Sequence, residues 1–487
     1  MHAEIMRSLD TKEKIFVSDH NKKYLYQDLK KAIRKFCYYL QKTPSGRIMI
    51  SANQSFESYA LLIATYLSGG TFCFMNPALP DKRKQLIYES FKPEIAFFAD
   101  SEASNEHNLT EYNCLQVNYH EYGLCPHQAA IVKKYANDIL YVYYTSGSTG
   151  LPKGCMIKRQ AFENFCLEAT KIFKLSAEDI CGQYVPLWFD MSLIDIFGGV
   201  LKRATLIPFN THYHKFKPGK FIAEHKITFM NVVPQFLDII QNGKNFDHQH
   251  LKTLRMIRFG GDKVSKLKLD MLFAVCKNIE VVSTYGATES TCFCFSKILN
   301  HKNYQKHCSS HATVGRPIKG WYAFLTNVDE EGVGENVIYG DNIGYGYMTD
   351  NQKDNAYQKV YINKKLYPAY HTGDYFKIIN HQYYFVGRKD TQVKRHGKRF
   401  DLNEIEYEAN LYGISNVCAI MVDEEIYLFC EKMAEKDFSS EDLMKDLESK
   451  LPAYEIPTEI IFLDHMPYNP NGKIDRNKLK TLIALES

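Results

Sequence analysis

Thr145-Ser-Gly-Ser-Thr-Gly-Leu-Pro-Lys-Gly154 is the stretch that decides how this chain is read. Just before it, Ile139-Leu-Tyr-Val-Tyr-Tyr144 is a short run of β-formers that stops at the Thr/Ser/Gly loop, as a buried strand does. After it, Gln160 to Thr170 reads as a helix. Strand, glycine loop and helix in succession predict α/β layers. Within the loop, Thr145, Ser146, Ser148 and Thr149 are hydroxyl donors, Gly147 and Gly150 let backbone N–H groups approach closely, and Lys153 neutralises negative charge. Those residue types together suit the wrapping of a polyphosphate. Pro152 stands where a Walker loop needs glycine before its lysine, which disfavours a kinase-type or GTPase-type phosphate loop.

The bulk numbers agree with a soluble globular protein. A length of 487 residues allows two to four structural units at roughly 100–200 residues each. Hydrophobic residues make up 45% and charged residues 24%, so disorder is not the reading. The formal net charge of +4 gives no reason to invoke nucleic acid or an anionic membrane. The 13 cysteines are odd in number and irregularly spaced, with no Cys-x-x-Cys, which favours reduced thiols in a cytoplasm. Cys292 and Cys294 read as alternate residues of a strand, since no second ligand pair matches them. The polar N-terminus is not a signal peptide. The apolar stretch Ala60 to Met75 is too short and too broken, at Ser68-Gly-Gly70, to span a bilayer.

A domain boundary is expected near Gly387-Arg-Lys-Asp390, separating a large α/β region, residues 1–387, from a small α+β lid, residues 388–487. Tyr375 to Val386 has a hairpin pattern. Asp401-Leu-Asn-Glu404 is a capping box that opens a helix. Leu443, Leu447 and Leu451 share one helical face, and Pro452 stops that helix at Leu451.

From here the motifs become specific. The loop at Thr145 resembles the phosphate loop of the adenylate-forming superfamily, which includes acyl-CoA synthetases, luciferases and amino-acid adenylation domains. Gly70-Thr-Phe-Cys-Phe-Met-Asn-Pro-Ala-Leu-Pro80, Ser283-Thr-Tyr-Gly-Ala-Thr-Glu289, His371-Thr-Gly-Asp374, Gly387-Arg-Lys-Asp-Thr-Gln-Val-Lys-Arg-His-Gly397 and Asn469-Pro-Asn-Gly-Lys-Ile-Asp-Arg476 resemble that family's further motifs, in the family's order. The resemblance covers essentially the whole chain. It implies helix-sandwiched sheets, a distorted barrel and a mobile C-terminal lid. It also implies ATP and Mg²⁺ as cofactors.

The family's roles then fall on particular residues. Tyr285 would stack on adenine, and Gly260, Gly261, Asp262 and Gly286 would line the nucleotide. Thr288 would bind the α-phosphate. Glu289 would hold Mg²⁺, a hard cation that prefers carboxylate oxygen. Asp374 would accept from the ribose hydroxyls, with Arg388 assisting. Lys473 would be the catalytic lysine, offsetting the repulsion between a substrate carboxylate and the α-phosphate. That repulsion is roughly 4 kcal/mol at about 4 Å and an effective dielectric near 20. Asp390 would be the hinge about which the lid turns between half-reactions, with Gly397 beside a channel for a phosphopantetheine thiol.

Phe189-Asp-Met-Ser192 resembles the Phe-Asp-x-Ser motif of amino-acid adenylation domains and of D-alanine–carrier-protein ligases, in which the Asp pairs with the substrate's α-ammonium. A buried ammonium needs a counter-charge, whereas a fatty or aryl acid has none to offer Asp190. Motif matching adds Met191, Ile194, Asn231, Arg258, Gly260, Thr284, Cys292 and Phe293 as pocket positions, with Met191 and Ile194 restricting volume. Arg258 departs from the pattern for a small apolar side chain. Facing inward it would bind an acidic or polar side chain, and facing outward it would be a surface strand residue. The chain ends eleven residues after Arg476, leaving no room for a carrier's serine motif, so a phosphopantetheinylated carrier protein is expected in trans. The resemblance is to a stand-alone peptide-synthetase adenylation domain or a D-alanyl carrier ligase. An acyl- or aryl-CoA ligase and an inactive nucleotide-binding scaffold are the alternatives.

Overall fold

The computed structural model describes the chain except residues 20–21, 52–53, 99–113, 119–126, 146–151, 349–355, 389–391, 413, 415, 433–438, 468–473 and 487. Ser146, Gly147, Ser148, Thr149, Gly150, Asp390 and Lys473 therefore lie outside the described residues.

The architecture is α/β with several sheets, as the alternation of strand and helix patterns predicts. Among the described residues the first sheet has nine strands. Its centre is parallel and runs from Glu280–Tyr285 through Met256–Phe259, Phe229–Val232, Ile180–Gln183 and Thr205–Pro208 to Ile15–Asp19. A second sheet of seven strands contains Ile139–Thr145, Thr71–Met75, Arg47–Ser51 and Ile95–Phe98. Five antiparallel strands, among them Val333–Tyr339 and Lys365–Ile379, form a third. Central strands such as Met256–Phe259 are buried along their length, the condition of parallel sheets covered on both faces.

The broken apolar stretch shows how local sequence sets these elements. Helix Phe56–Ser68 starts at Ser55, whose hydroxyl accepts from the Ser58 N–H at 3.2 Å. It stops at Gly69, which adopts φ 81° to close the helix. The chain then turns directly into strand Thr71–Met75. Among the described residues, no helix is long and apolar enough to cross a membrane.

Two compact units are present: Met1–Pro77, Phe91–Tyr143 and Cys155–Gly387 form one, and Ala78–Ser90, Tyr144–Gly154 and Arg388–Ser487 the other. In the second, strands Val417–Val422, Glu425–Glu431 and Glu459–Leu463 form a sheet against helices Leu402–Tyr412 and Ser440–Glu448. The hairpin pattern at Tyr375 corresponds to Lys365–Ile379 paired with Gln382–Arg388.

Three local expectations are corrected. The Asp401 carboxylate caps the Asn403 N–H at 3.0 Å, but Glu404 does not return to the cap. It pairs instead with Arg83, because a buried carboxylate gains more from a guanidinium than from a backbone N–H at a helix N-terminus. The helix carrying Leu443 and Leu447 ends at Glu448, and Leu451 is buried from the turn beyond it. Cys292 is not a strand residue. It follows Thr291 in a left-handed bend, φ 65° and 70°, and the strand begins only at Phe295. None of the twelve described cysteines is in a disulfide.

Candidate active site

Strand alternation places the polar residues of the site. Phe229, Met256 and Val282 point into the core cluster that contains Phe293, while Met230, Val232, Ile257, Phe259 and Val281 point into the cluster on the other face. A period of two then puts Asn231, Arg258, Gly260 and Thr284 on the first face, near the carboxyl ends of adjacent parallel strands. That end of an open α/β sheet is where ligands bind.

Arg258 is buried, with 2% of its surface exposed. Its Nη1 donates to Asn231 Oδ1 at 2.9 Å, and its guanidinium lies 4.9 Å from the Phe293 ring centre. Gly260 makes room for it. A Cβ there would sit 2.3 Å from Nη2 and 2.4 Å from Cζ. Asn231 is the hub. Its Nδ2 donates to the Met191 carbonyl at 2.7 Å and to Asp195 Oδ1 at 3.2 Å. Thr284 donates to the Phe259 carbonyl at 2.9 Å, and Ile194 belongs to the apolar core. Arg258 thus faces inward, and Asp190 is buried at 9% exposure rather than exposed in its turn.

Asp190 sits in the turn that opens helix Ser192–Lys202, where the Ser192 N–H donates to Phe189 O and the Leu193 N–H to Asp190 O. Burial lifts its pKa to about 6, and Glu289 adds to the rise, while the Thr288 hydroxyl, Arg258 and the Met191 N–H favour the charged form. Its Oδ2 is buried without a hydrogen-bond partner, as are Asp195 Oδ2, Arg258 Nε and the Tyr141 hydroxyl. Buried polar atoms are normally paired, so unpaired ones gathered in one region mark the place of a polar ligand. Burial also raises the Asp195 carboxyl, with Asn231 and Arg258 acting against the rise.

The second group of residues surrounds strand Glu280–Tyr285. The Tyr285 hydroxyl donates to Asp374 Oδ2 at 2.5 Å, and the Tyr285 ring meets Phe376 edge-on at 4.7 Å. The Asp374 N–H is held by the Thr372 hydroxyl at 3.1 Å, after Gly373 turns the chain with φ 66°. Gly286 is required by close backbone approach, because a Cβ would lie 2.4 Å from Phe293 Cα. Glu289, buried in a short 3₁₀ turn after Thr288, accepts from the Tyr347 hydroxyl at 2.6 Å. Gly261 adopts φ 84°, and Asp262 accepts from Gln235 at 3.2 Å and from the Lys263 N–H at 2.6 Å. Thr145 ends one strand, Lys153 begins another, and Arg388 ends a third.

Sequence reasoning missed Asp195, Tyr141 and Tyr347. Asp195 carried a signal, being the lone charge in the apolar run Ser-Leu-Ile-Asp-Ile-Phe-Gly-Gly-Val. Tyr347 carried none, because it reaches Glu289 from 58 residues away.

The family described as AMP-binding enzyme matches residues 7–348, more than half of the chain. A D-alanine–D-alanyl carrier protein ligase of Bacillus licheniformis is 30% identical over 371 residues, 72% of each chain. Its counterpart from Listeria monocytogenes is 27% identical over 94% of this chain and 93% of its own length. Tyrocidine synthase 3 of Brevibacillus parabrevis is 26% identical over 90% of this chain, which spans 7% of that much longer protein. Among solved structures, the Vibrio cholerae adenylation domain AlmE, in complex with glycyl-adenosine-5'-phosphate, has a TM-score of 0.83 at 20% identity, covering 99% of this chain and 97% of its own. The o-succinylbenzoate CoA synthetase of Bacillus subtilis also scores 0.83, at 18% identity, covering 98% of each chain. These two likenesses establish the shared fold.

Proposed function

The chain belongs to the AMP-binding enzymes, a family of adenylate-forming ligases that use ATP, and from that premise we propose that it activates a small amino acid as its aminoacyl-adenylate and passes it to the phosphopantetheine thiol of a separate carrier protein. The observation that carries the amino-acid reading is Asp190. Its buried carboxylate has one oxygen without a partner, and ionised carboxylates are buried only at considerable cost unless a cation pairs with them. An α-ammonium is such a cation, and a fatty or aryl acid lacks it. The curated relatives named as D-alanyl carrier ligases support the same branch and the same kind of acceptor.

In the first half-reaction a carboxylate oxygen of the amino acid attacks the α-phosphorus of ATP, the bond to the β-phosphate breaks, and pyrophosphate leaves. Asp190 orients the ammonium. The Thr288 hydroxyl, which favours the ionised form of Asp190, is assigned the α-phosphate. Tyr285 and Asp374, already hydrogen-bonded together, are assigned adenine and ribose, with Gly260, Gly261, Asp262, Gly286 and Arg388. Ser146 to Gly150, with Thr145 and Lys153, are assigned the phosphates. Lys473 is assigned to the two reacting anions and Asp390 to the hinge between residues 1–387 and 388–487. In the second half-reaction the thiolate attacks the activated carbonyl and AMP leaves.

The donor set fits Mg²⁺. No group of three or more His, Cys, Asp or Glu able to hold an ion is present among the described residues. Mg²⁺ needs no such cage, since it keeps waters and binds through one or two carboxylates plus substrate phosphates. Glu289 would supply that carboxylate, and the ion would neutralise charge on the phosphates.

The test is amino-acid-dependent ATP–pyrophosphate exchange over D- and L-amino acids, with Asp190→Ala as control. Strong exchange with one small amino acid, lost in the control, is expected. Exchange with a fatty or aryl acid, and none with amino acids, moves the protein to the acyl-ligase branch.

A further inference from the structure

Resting on the amino-acid reading of Asp190, we propose that Arg258 closes the side-chain end of the substrate pocket, and that Asp195, bridged by Asn231, is the counter-ion that makes the closure neutral. The substrate selected is then an amino acid whose side chain is uncharged and no larger than a methyl group: glycine or alanine.

Space is the first argument. The guanidinium lies against Asn231, Gly260 and Phe293, all three expected to line the substrate side chain. Gly260 supplies no side chain of its own, yet a single Cβ there would collide with Arg258. Among the described residues only Trp321 is a larger fully buried side chain. On the proposed reading, a group of that size across the sheet's inner face takes up the depth that a branched or aromatic substrate side chain would need.

Charge is the second. Asp195 Oδ1 accepts from Asn231 Nδ2, and Asn231 Oδ1 accepts from Arg258 Nη1, so one amide joins carboxylate to guanidinium. Asp190 is the second carboxylate facing this group, and Arg258 feels both. Burial opposes ionisation of Asp190 and Asp195, while Arg258 favours it in both; with both ionised against Arg258, the α-ammonium of a neutral amino acid brings these four groups to zero net charge. An acidic side chain would leave one negative charge in excess and a basic one a positive charge, each in a dry site where an uncompensated ion is heavily penalised. The arginine is also partly spent already, one nitrogen on Asn231 and its guanidinium over the Phe293 ring. Arg258 is therefore a wall with its own counter-ion, and the acid-binding role expected of an inward arginine is not the one its contacts favour.

The test compares kcat/KM in ATP–pyrophosphate exchange for glycine, D- and L-alanine, valine, leucine, aspartate, glutamate and lysine. The proteins are wild type, Arg258→Ala and the double variant Arg258→Ala/Asp195→Asn, which removes both charges and keeps the pocket neutral should the single variant fail to fold. Wild type is expected to prefer glycine or alanine over leucine by 100-fold or more, and over aspartate by at least as much. The double variant is expected to raise the leucine-to-glycine ratio at least tenfold. Wild-type preference for aspartate or glutamate, lost in Arg258→Ala, would show that Arg258 binds a substrate carboxylate and would overturn the proposal while leaving amino-acid activation intact. An unchanged leucine-to-glycine ratio overturns it too. Silence with every amino acid sinks the reading of Asp190 and this inference together.

Discussion

Replacing Asp190 by asparagine should make the protein more stable and inactive at once. Burial is the main reason that the Asp190 pKa rises from its ordinary 3.8 to about 6. At 1.36 kcal/mol per pH unit, holding this carboxylate ionised in the folded chain costs about 3 kcal/mol. The sign follows from proton binding. Between pH 3.8 and about 6 the folded chain holds a proton that the unfolded chain has lost, so stability falls as pH rises through that window, and the full cost is present above it. Asparagine has nearly the same shape and cannot ionise. Its amide still lacks a partner for one polar atom, which returns about 1 kcal/mol of the gain. The expected net stabilisation is about 2 kcal/mol well above pH 6, shrinking as pH falls and reversing to a loss of up to about 1 kcal/mol below pH 4, where only the unpaired amide atom still counts. Urea unfolding followed by the fluorescence of Trp188 and Trp321, the two tryptophans and both in the first unit, reports the affected region. Amino-acid-dependent pyrophosphate exchange should fall by about 100-fold or more, the scale of losing one preorganised charge partner. A destabilised Asp190→Asn at high pH, a gain that does not change with pH, or exchange that survives would each refute the reasoning.

The same group should shape the pH profile. If the ionised form pairs with the ammonium as proposed, kcat/KM for the amino acid should hold above about pH 6 and drop tenfold per unit below it, read from exchange rates across pH. In the second unit, Glu455 is fully buried, both of its oxygens lack hydrogen-bond partners, and burial beside Glu404 raises its pKa well above the ordinary value. Glu455→Gln should therefore raise the melting temperature at neutral pH, and the gain should fade on acidification, by the same sign argument. Arg83 is the buried cation facing Glu404 and Glu455, so Arg83→Met should destabilise by about 3–5 kcal/mol in urea titrations. Gly286→Ala puts a Cβ 2.4 Å from Phe293 Cα and 2.6 Å from the Cys292 carbonyl, and backbone cannot yield as a side-chain end can, so a loss of about 1–3 kcal/mol is expected. Lys473→Ala should slow adenylate formation by roughly 10²–10³-fold and spare thioester formation from preformed adenylate, measured by supplying that adenylate directly.

What the sequence disclosed and what it withheld divide along a physical line. Local order is written locally: a run of β-formers, a serine cap or a glycine stop acts on its neighbours, so the strand at Ile139, the helix after Lys158 and the hairpin before Gly387 were legible. The family resemblance gathered Asp190, Arg258, Glu289 and Asp374 as candidates because each lies in a motif or at a fixed offset from one. Partner choice is not written locally. Glu404 looked like the last residue of a capping box and is claimed instead by Arg83, 321 residues earlier. Arg258 is the instructive case, because its orientation was recoverable. Met256 and Arg258 must share a face of their strand, and Gly260 continues it two residues on. A glycine in that place is what a large neighbouring side chain folded back along the strand would require. Its meaning was not recoverable, since an inward arginine reads as a hook for a carboxylate until the bridge through Asn231 to Asp195 is seen. Whether a buried charge seeks a ligand or already has a counter-ion is a property of the tertiary neighbourhood. For this pocket it separates an enzyme that takes an acidic amino acid from one that takes the smallest neutral ones.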